Sequence, residues 1–278
     1  MPRILRLVVL VFLLLPGLTP AAQEQKKFNG RSAIQAFFRS FQEQNHEPCF
    51  YFSEEGGLVP QDPEREDVQI GAVLRKFPMK ILPAGDASFA GCRVQRTPRG
   101  DYSLRFDRSL LDTLMGRSHY LALGPPEGAL NDTLSATLYF PLALVPRNSW
   151  QPTGLGADGK IIANPIWHHY KLYWNADPKN DKGVFISVSY DSNAPANAGK
   201  WGRTFNSEHI EHTVLVKDRG YTELPKSLFR AIPRGAHITL TMVRGNWTDL
   251  RGVSTHGETI HYACASIRRG IFQYVKPR

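Results

Sequence analysis

Seven of the nine histidines lie in the second half of the chain, at His168, His169, His209, His212, His237, His256 and His261. His209-Ile-Glu-His212 has a spacing close to that of metal-ligand pairs. On a strand, however, positions 209 and 212 point to opposite faces, so the two cannot chelate together. The zincin pattern, His-Glu-x-x-His on a helix, is not in the sequence. A zinc site would have to combine His209, Glu211 and His261 from neighbouring strands. Asn175, Asp177, Asn180 and Asp181 form an oxygen-rich run ending in Gly183. A calcium loop of the EF-hand type needs Glu at its twelfth position, which here is Ile186, and Pro178 spoils the match further. That segment reads as a turn between strands. No metal and no cofactor is expected.

Hydrolase chemistry has little to work with. The sequence has no Gly-x-Ser-x-Gly elbow and no Ser-x-x-Lys with its partner motifs. Glu54-Glu55 and Glu64 with Glu66 offer paired carboxylates, but they stand in polar, turn-like stretches and read as solvated surface. Cys264 lies in a strand pattern and reads as a small buried hydrophobe. Cys49 and Cys92 are the natural disulfide pair in an exported chain.

Aromatic loops offer the better chemistry. If the strands of the second half alternate in direction, the loops at 191–207 and 245–258 fall at one end of the sandwich. They carry Trp201 and Arg203, and Trp247, Asp249, Arg251 and His256. Flat rings beside hydrogen-bonding groups can grip a sugar or a peptide. The same two tryptophans could instead plug the end of the core. Asn131-Asp-Thr and Asn246-Trp-Thr match the N-glycosylation pattern, which matters only in a eukaryotic host.

The elements that hold these residues follow from periodicity. Ser32-Ala-Ile-Gln35 looks like a capping box, and Ile34, Phe37, Phe38 and Phe41 recur at helical spacing, predicting an amphipathic helix to about Gln44. Strands are predicted at Cys49–Phe52, Val68–Leu74, Phe89–Arg96, Tyr102–Phe106, Tyr120–Leu123 and Thr133–Val145, with a short helix at Ser109–Met115. A Pro- and Gly-rich stretch between Val145 and Ile161 places a boundary near residue 155. Beyond it, period-2 alternation recurs in about six half-polar segments, at 170–174, 184–190, 210–216, 238–242, 260–264 and 272–274, the signature of antiparallel sheets with one buried face. Glu223–Ala231 reads as a short helix or turn. The expected architecture is a mainly β, α+β chain. Residues 23–155 form an α+β domain, and residues 156–278 an immunoglobulin-like antiparallel β-sandwich.

Trp174-Asn-Ala-Asp-Pro-Lys-Asn-Asp-Lys-Gly183, continuing through Val-Phe-Ile-Ser-Val-Ser-Tyr190, resembles segments of uncharacterised secreted bacterial β-sandwich proteins. The resemblance covers residues 174–190 and implies the same sandwich architecture. It brings no activity with it.

The first 22 residues read as a secretory signal peptide. Arg3 and Arg6 precede an apolar run from Leu7 to Leu18, and Thr19-Pro-Ala-Ala22 closes the segment. The run is too short to span a bilayer as a helix. Cleavage after Ala22 would leave 256 of the 278 residues and lower the formal charge from +9 to +7, because two arginines and no acid depart. The remaining excess is dispersed and forms no nucleic-acid arm. A 42% apolar, 11% aromatic chain is not disordered, and three cysteines are too few for a disulfide scaffold. The sequence therefore predicts a secreted or periplasmic, non-catalytic binding protein, with a glycan or an envelope protein held by the sandwich loops and no membrane span once the signal is removed. Two alternatives stand beside it. One is a secreted glycoside hydrolase using carboxylates of the N-terminal half. The other is a structural domain of a cell-envelope assembly.

Overall fold

The computed structural model describes residues 38, 49–56, 68–73, 75–76, 80–81, 85–94, 102–106, 111–124, 133–148, 150, 154–155, 161–194, 196–197, 209–250 and 260–276. The signal segment, and all of the expected helix at 32–44 except Phe38, lie outside them. In chain order the strands begin with β1 (Cys49–Gly56), β2 (Val68–Val73), β3 (Arg75–Lys76), β4 (Lys80–Ile81), β5 (Ala87–Phe89), β6 (Cys92–Val94) and β7 (Tyr102–Phe106). The short helix α1 (Leu111–Leu114) precedes β8 (Arg117–Leu123), β9 (Leu134–Phe140), β10 (Gly154–Leu155), β11 (Ile161–Ile162) and β12 (Asn164–Ile166). Then come β13 (Lys171–Tyr173), β14 (Val184–Asp191), β15 (His209–Val216) and β16 (Tyr221–Glu223). A 3-10 turn at Lys226–Phe229 leads to the two longest strands, β17 (His237–Asp249) and β18 (His261–Tyr274). The protein is mainly β.

The predicted strands are found, with differences in extent and pairing. The expected strand at Phe89–Arg96 is a hairpin, because Ala90 and Gly91 both take positive φ and turn the chain between β5 and β6. The expected strands near 260–264 and 272–274 are one 14-residue strand, β18. The main sheet is also mixed rather than antiparallel throughout. Its order is β15-β14-β17-β18-β1-β2-β7, and both β1 and β12 pair with β18 in parallel. The long edge of β18 thus takes β1 along its first part and β12 along its last.

Strands from both sides of residue 155 share this sheet, and every described residue falls in one compact unit, Ile34–Arg278. The expected boundary near 155 runs through that unit.

One face of the main sheet carries two apolar clusters. Phe50, Phe52 and Tyr262 pack with Phe89, Leu121, Leu138 and Phe140 of the four-stranded sheet β6-β5-β8-β9. Ile186, Val188, Leu240, Met242 and Phe272 pack with Leu172 and Trp174 around β13, and with Leu224, Leu228 and Phe229 after β16. The opposite face carries a third cluster, in which Phe38 is fully buried against Phe185 and Val243.

Between the first two clusters the residue types change abruptly. Arg244, Ser266 and Glu54 occupy one transverse row, since Arg244 is registered with Ser266 and Ser266 with Glu54. All three are buried. The row lies where the connection after β9 crosses the sheet without joining its ladder. Buried backbone groups need partners, and the row supplies them. Ser266 Oγ accepts from Leu144 N–H (2.8 Å) and donates to Glu54 Oε2 (2.6 Å). Arg268 pairs with the other Glu54 oxygen. Glu54 is therefore not the solvated residue that its polar surroundings in sequence predict. It continues the inward face of Phe50 and Phe52.

Candidate functional site

Arg244 is the centre of the buried row. Its Nη1 donates to Leu142 O at 3.0 Å and, at greater length, to Ala143 O. Its Nη2 donates to Asn175 O and to Asp218 Oδ1, the latter at 2.9 Å. Nε lies 2.8 Å from Asp218 Oδ2, off the line of its own N–H bond, so that contact is electrostatic rather than a formed hydrogen bond. The two side chains are 0% and 1% exposed. Asp218 also accepts from Trp174 Nε1–H (2.8 Å) and Asn180 Nδ2–H (2.9 Å). Every oxygen of the carboxylate is thus engaged, the condition under which a buried ion pair is tolerated.

The segment considered for calcium is part of the same network. Asn175 bridges to Ala143 O and Val145 N–H (both 2.7 Å), and Asn180 holds Gly183 O (2.9 Å). Asp177 accepts from Tyr139 O–H and from Leu142 N–H (2.8 Å). Its oxygens face protein donors, as a structural turn requires. Partial burial and then the Asp177 carboxylate push the Tyr139 phenol up to about 12. Burial likewise raises the Tyr262 phenol, with Cys264 as the next cause.

The network fixes a surface feature. Asp218 points inward from the turn after β15, and Gly220, at φ +85°, lets that turn close against Trp174, whose N–H donates to Gly220 O (2.9 Å). Arg219 is consequently directed outward, and its guanidinium lies 4.4 Å from the centroid of the Tyr221 ring. Tyr221 is registered with Tyr173 across the β13–β16 pair, with ring centroids 6.4 Å apart and planes 31° from parallel. Leu172, Trp174, Thr222 and Leu224 are buried below, so alternation sends Tyr173 and Tyr221 out, at 43% and 46% exposure. A third extended segment borders β13. Pro146 bridges to Trp174, Arg147 N–H donates to Tyr173 O (2.8 Å), and Asn148 Oδ1 accepts Tyr173 N–H (2.6 Å). The result is a ribbon of three segments, about 10 Å across, presenting two tyrosines with Arg147, Lys171 and Arg219 exposed around them. Glu223, the carboxylate on that face, is engaged by His169 Nδ1.

The loop site expected from the sequence falls largely outside the described residues, but the strands that flank its two loops are placed. β14 and β17 are antiparallel neighbours, so the end of β14 at Asp191 lies beside the start of β17 at His237. Asn197 confirms the placement by bonding Asp191 O and both backbone groups of His237. The loop after β17 leaves from Asp249, at the far end of a 13-residue strand, roughly 40 Å away. β16 and the 3-10 turn carry the chain back, so β17 runs in the same direction as β15 and the alternation assumed for the strands fails. Trp201, Arg203, Arg251 and His256 lie outside the described residues. Trp247 belongs to β17, not to a loop. It is half-buried, edge-on to Phe38 at 6.2 Å, with Lys182 Nζ 5.4 Å from its ring. Asp249 lies 2.8 Å from His261 across the strand pair.

The conditional zinc set fails for a related reason. β15, which carries His209 and Glu211, is separated from β18 and His261 by β14 and β17. Among the described residues no group of three His, Cys, Asp or Glu side chains is placed to hold a metal. Cys92 is a free, exposed thiol in the four-stranded sheet, while Cys49 opens β1 of the main sheet, and the expected bond between them is not formed. Asn246 donates to Tyr139 O (3.1 Å), which engages the amide of that glycosylation pattern. Among the described residues no helix is long and apolar enough to cross a membrane.

No family model and no curated protein matches the chain. Among solved structures, one described as structural insight into host cell surface retention of a 1.5-MDa bacterial ice-binding adhesin is similar at 12% identity and a TM-score of 0.21, over 84% of this chain and 67% of that one. A second, a Ca2+-stabilized adhesin that helps an Antarctic bacterium reach out and bind ice, is similar at 11% identity and a TM-score of 0.19, over 84% of this chain and 50% of that one. TM-scores at this level establish neither fold nor ligand.

Proposed function

We propose that this chain is an exported, non-catalytic binding protein, secreted or periplasmic, that holds a glycan on the β13–β16 ribbon. The observation that carries the reading is the outward Tyr173–Tyr221 pair with Arg219 stacked beside it. A sugar ring has an apolar face and a hydroxylated rim, and exposed tyrosine faces with polar tips complement both. The ribbon is braced from below by buried side chains, so its rings are pre-positioned and little ordering is lost on binding. The export features of residues 1–22 are consistent with a ligand outside the cytoplasm.

A glycan array probed with wild type and with Tyr173→Ala/Tyr221→Ala tests the reading. Aromatic contacts contribute about 0.5–1.5 kcal/mol each beyond buried area, so the double variant should bind about fivefold to a hundredfold more weakly. Unchanged binding, with an unchanged melting temperature, refutes it.

A further inference from the structure

From the charges that surround the rings, we infer that the ribbon selects an acidic glycan, one bearing carboxylate or sulfate groups, over a neutral one. This rests on the ribbon being the glycan site. Arg147, Lys171 and Arg219 are exposed on the tyrosine-bearing ribbon, and among the described residues no acid is paired with any of them. Lys171 is registered with Glu223, whose carboxylate is held by His169. Arg219 spends its Nε–H on Tyr221 O, at 3.5 Å, and the residue is exposed.

The placement is specific rather than a general excess of charge. Arg219 is turned outward because Asp218, its neighbour, is anchored inward on Arg244 and Trp174. The Arg219 guanidinium lies over the Tyr221 ring, 4.4 Å from its centroid, within reach of an acidic group on a sugar held at the tyrosines, and an Arg fork suits carboxylate or sulfate oxygens. Arg147 enters from the opposite side of Tyr173, through the backbone bond of the third segment. A sugar held at the two tyrosines therefore meets cations on both flanks. An acidic peptide would be drawn by the same charges, but a peptide added to a strand edge would be held by main-chain hydrogen bonds and would not need the two rings.

Equilibrium binding to polygalacturonate, alginate and heparin, each against its methyl-esterified or desulfated counterpart, tests this. The acidic form of at least one polymer should bind tenfold or more tightly than its neutralised form. The difference should collapse at 1 M salt, where screening acts over roughly 3 Å, and in an Arg147→Gln/Lys171→Gln/Arg219→Gln variant. Tyr173→Ala/Tyr221→Ala should weaken both forms. Equal affinity for acidic and neutralised polymers overturns the acidic preference and leaves the glycan site standing. Polyglutamate binding as tightly as the acidic glycans, with no loss in the tyrosine variant, reduces the ribbon to a charge patch and overturns the inference. Glycan binding that ignores the tyrosine substitutions overturns the underlying site itself.

Discussion

Replacing Arg244 with Met keeps much of the side-chain volume and removes the guanidinium. Asp218 would retain Trp174 and Asn180 as donors but lose its cation, while Leu142 O, Ala143 O and Asn175 O would lose the donor they share. Removing one member of a buried pair costs about 3–5 kcal/mol. Asp218→Asn, which strands the guanidinium, should cost a similar amount. Independent effects would therefore sum to roughly 6–10 kcal/mol, which rivals the whole stability of a typical domain, about 5–15 kcal/mol. The two groups touch, so the double variant should fall short of that sum by about 1–3 kcal/mol. Urea unfolding followed by tryptophan fluorescence measures all three variants, with the m-value unchanged if only the native network is affected. A single variant costing less than about 1 kcal/mol, or a double variant that is strictly additive, would refute the assignment of the row as a coupled structural element.

Three further outcomes are expected. Gly183→Ala should lower the melting temperature by well over the 2–4 °C that about 1 kcal/mol produces in a domain of this size, because Gly183 has φ +84° and its Cβ would collide with Val216 O; a wild-type melting curve would contradict the close approach. Tyr139 keeps its proton longer in the folded chain than in the unfolded one, with its value raised from 10.0 to about 12. Its contribution is full below pH 10 and is lost as pH rises toward 12, so unfolding curves across that window should show a decline that Tyr139→Phe reduces. Cys92 should react with a thiol reagent in the native protein within minutes while buried Cys264 waits for unfolding; a native protein inert at Cys92 would contradict the exposed thiol.

How far the fold was legible depends on the range of the interaction. Alternation is local, and it placed β14 and β15 within a residue of their ends and found the start of β17, whose residues from Gly245 on read as a loop. The pairing of β1 with β18 joins residues more than two hundred positions apart, and nothing in either strand announces its partner. The buried row left a readable trace: Glu54 continues the face of Phe50 and Phe52, Arg244 that of Leu240 and Met242, and Ser266 that of Tyr262 and Cys264. A charge that keeps an apolar register is a candidate for burial, whatever the polarity of its neighbours in sequence. Tyr173 was equally legible as an outward residue, opposite to Leu172 and Trp174. Its partner Tyr221 sits in a three-residue strand with no periodicity of its own, and only the β13–β16 register joins them. The alternation of strand direction did not hold, because direction was inferred from order along the chain. β16 pairs outside the main sheet, and its detour reverses every later strand.

Hydroxyl-radical footprinting of the glycan-bound protein tests the central claim most directly, because a control is built into the chain. Tyr120, on the four-stranded sheet, is 55% exposed, more than either ribbon tyrosine. Bound acidic polysaccharide should protect Tyr173 and Tyr221 from oxidation and leave Tyr120 unchanged. Protection absent from the ribbon, or equal at Tyr120, would contradict the account.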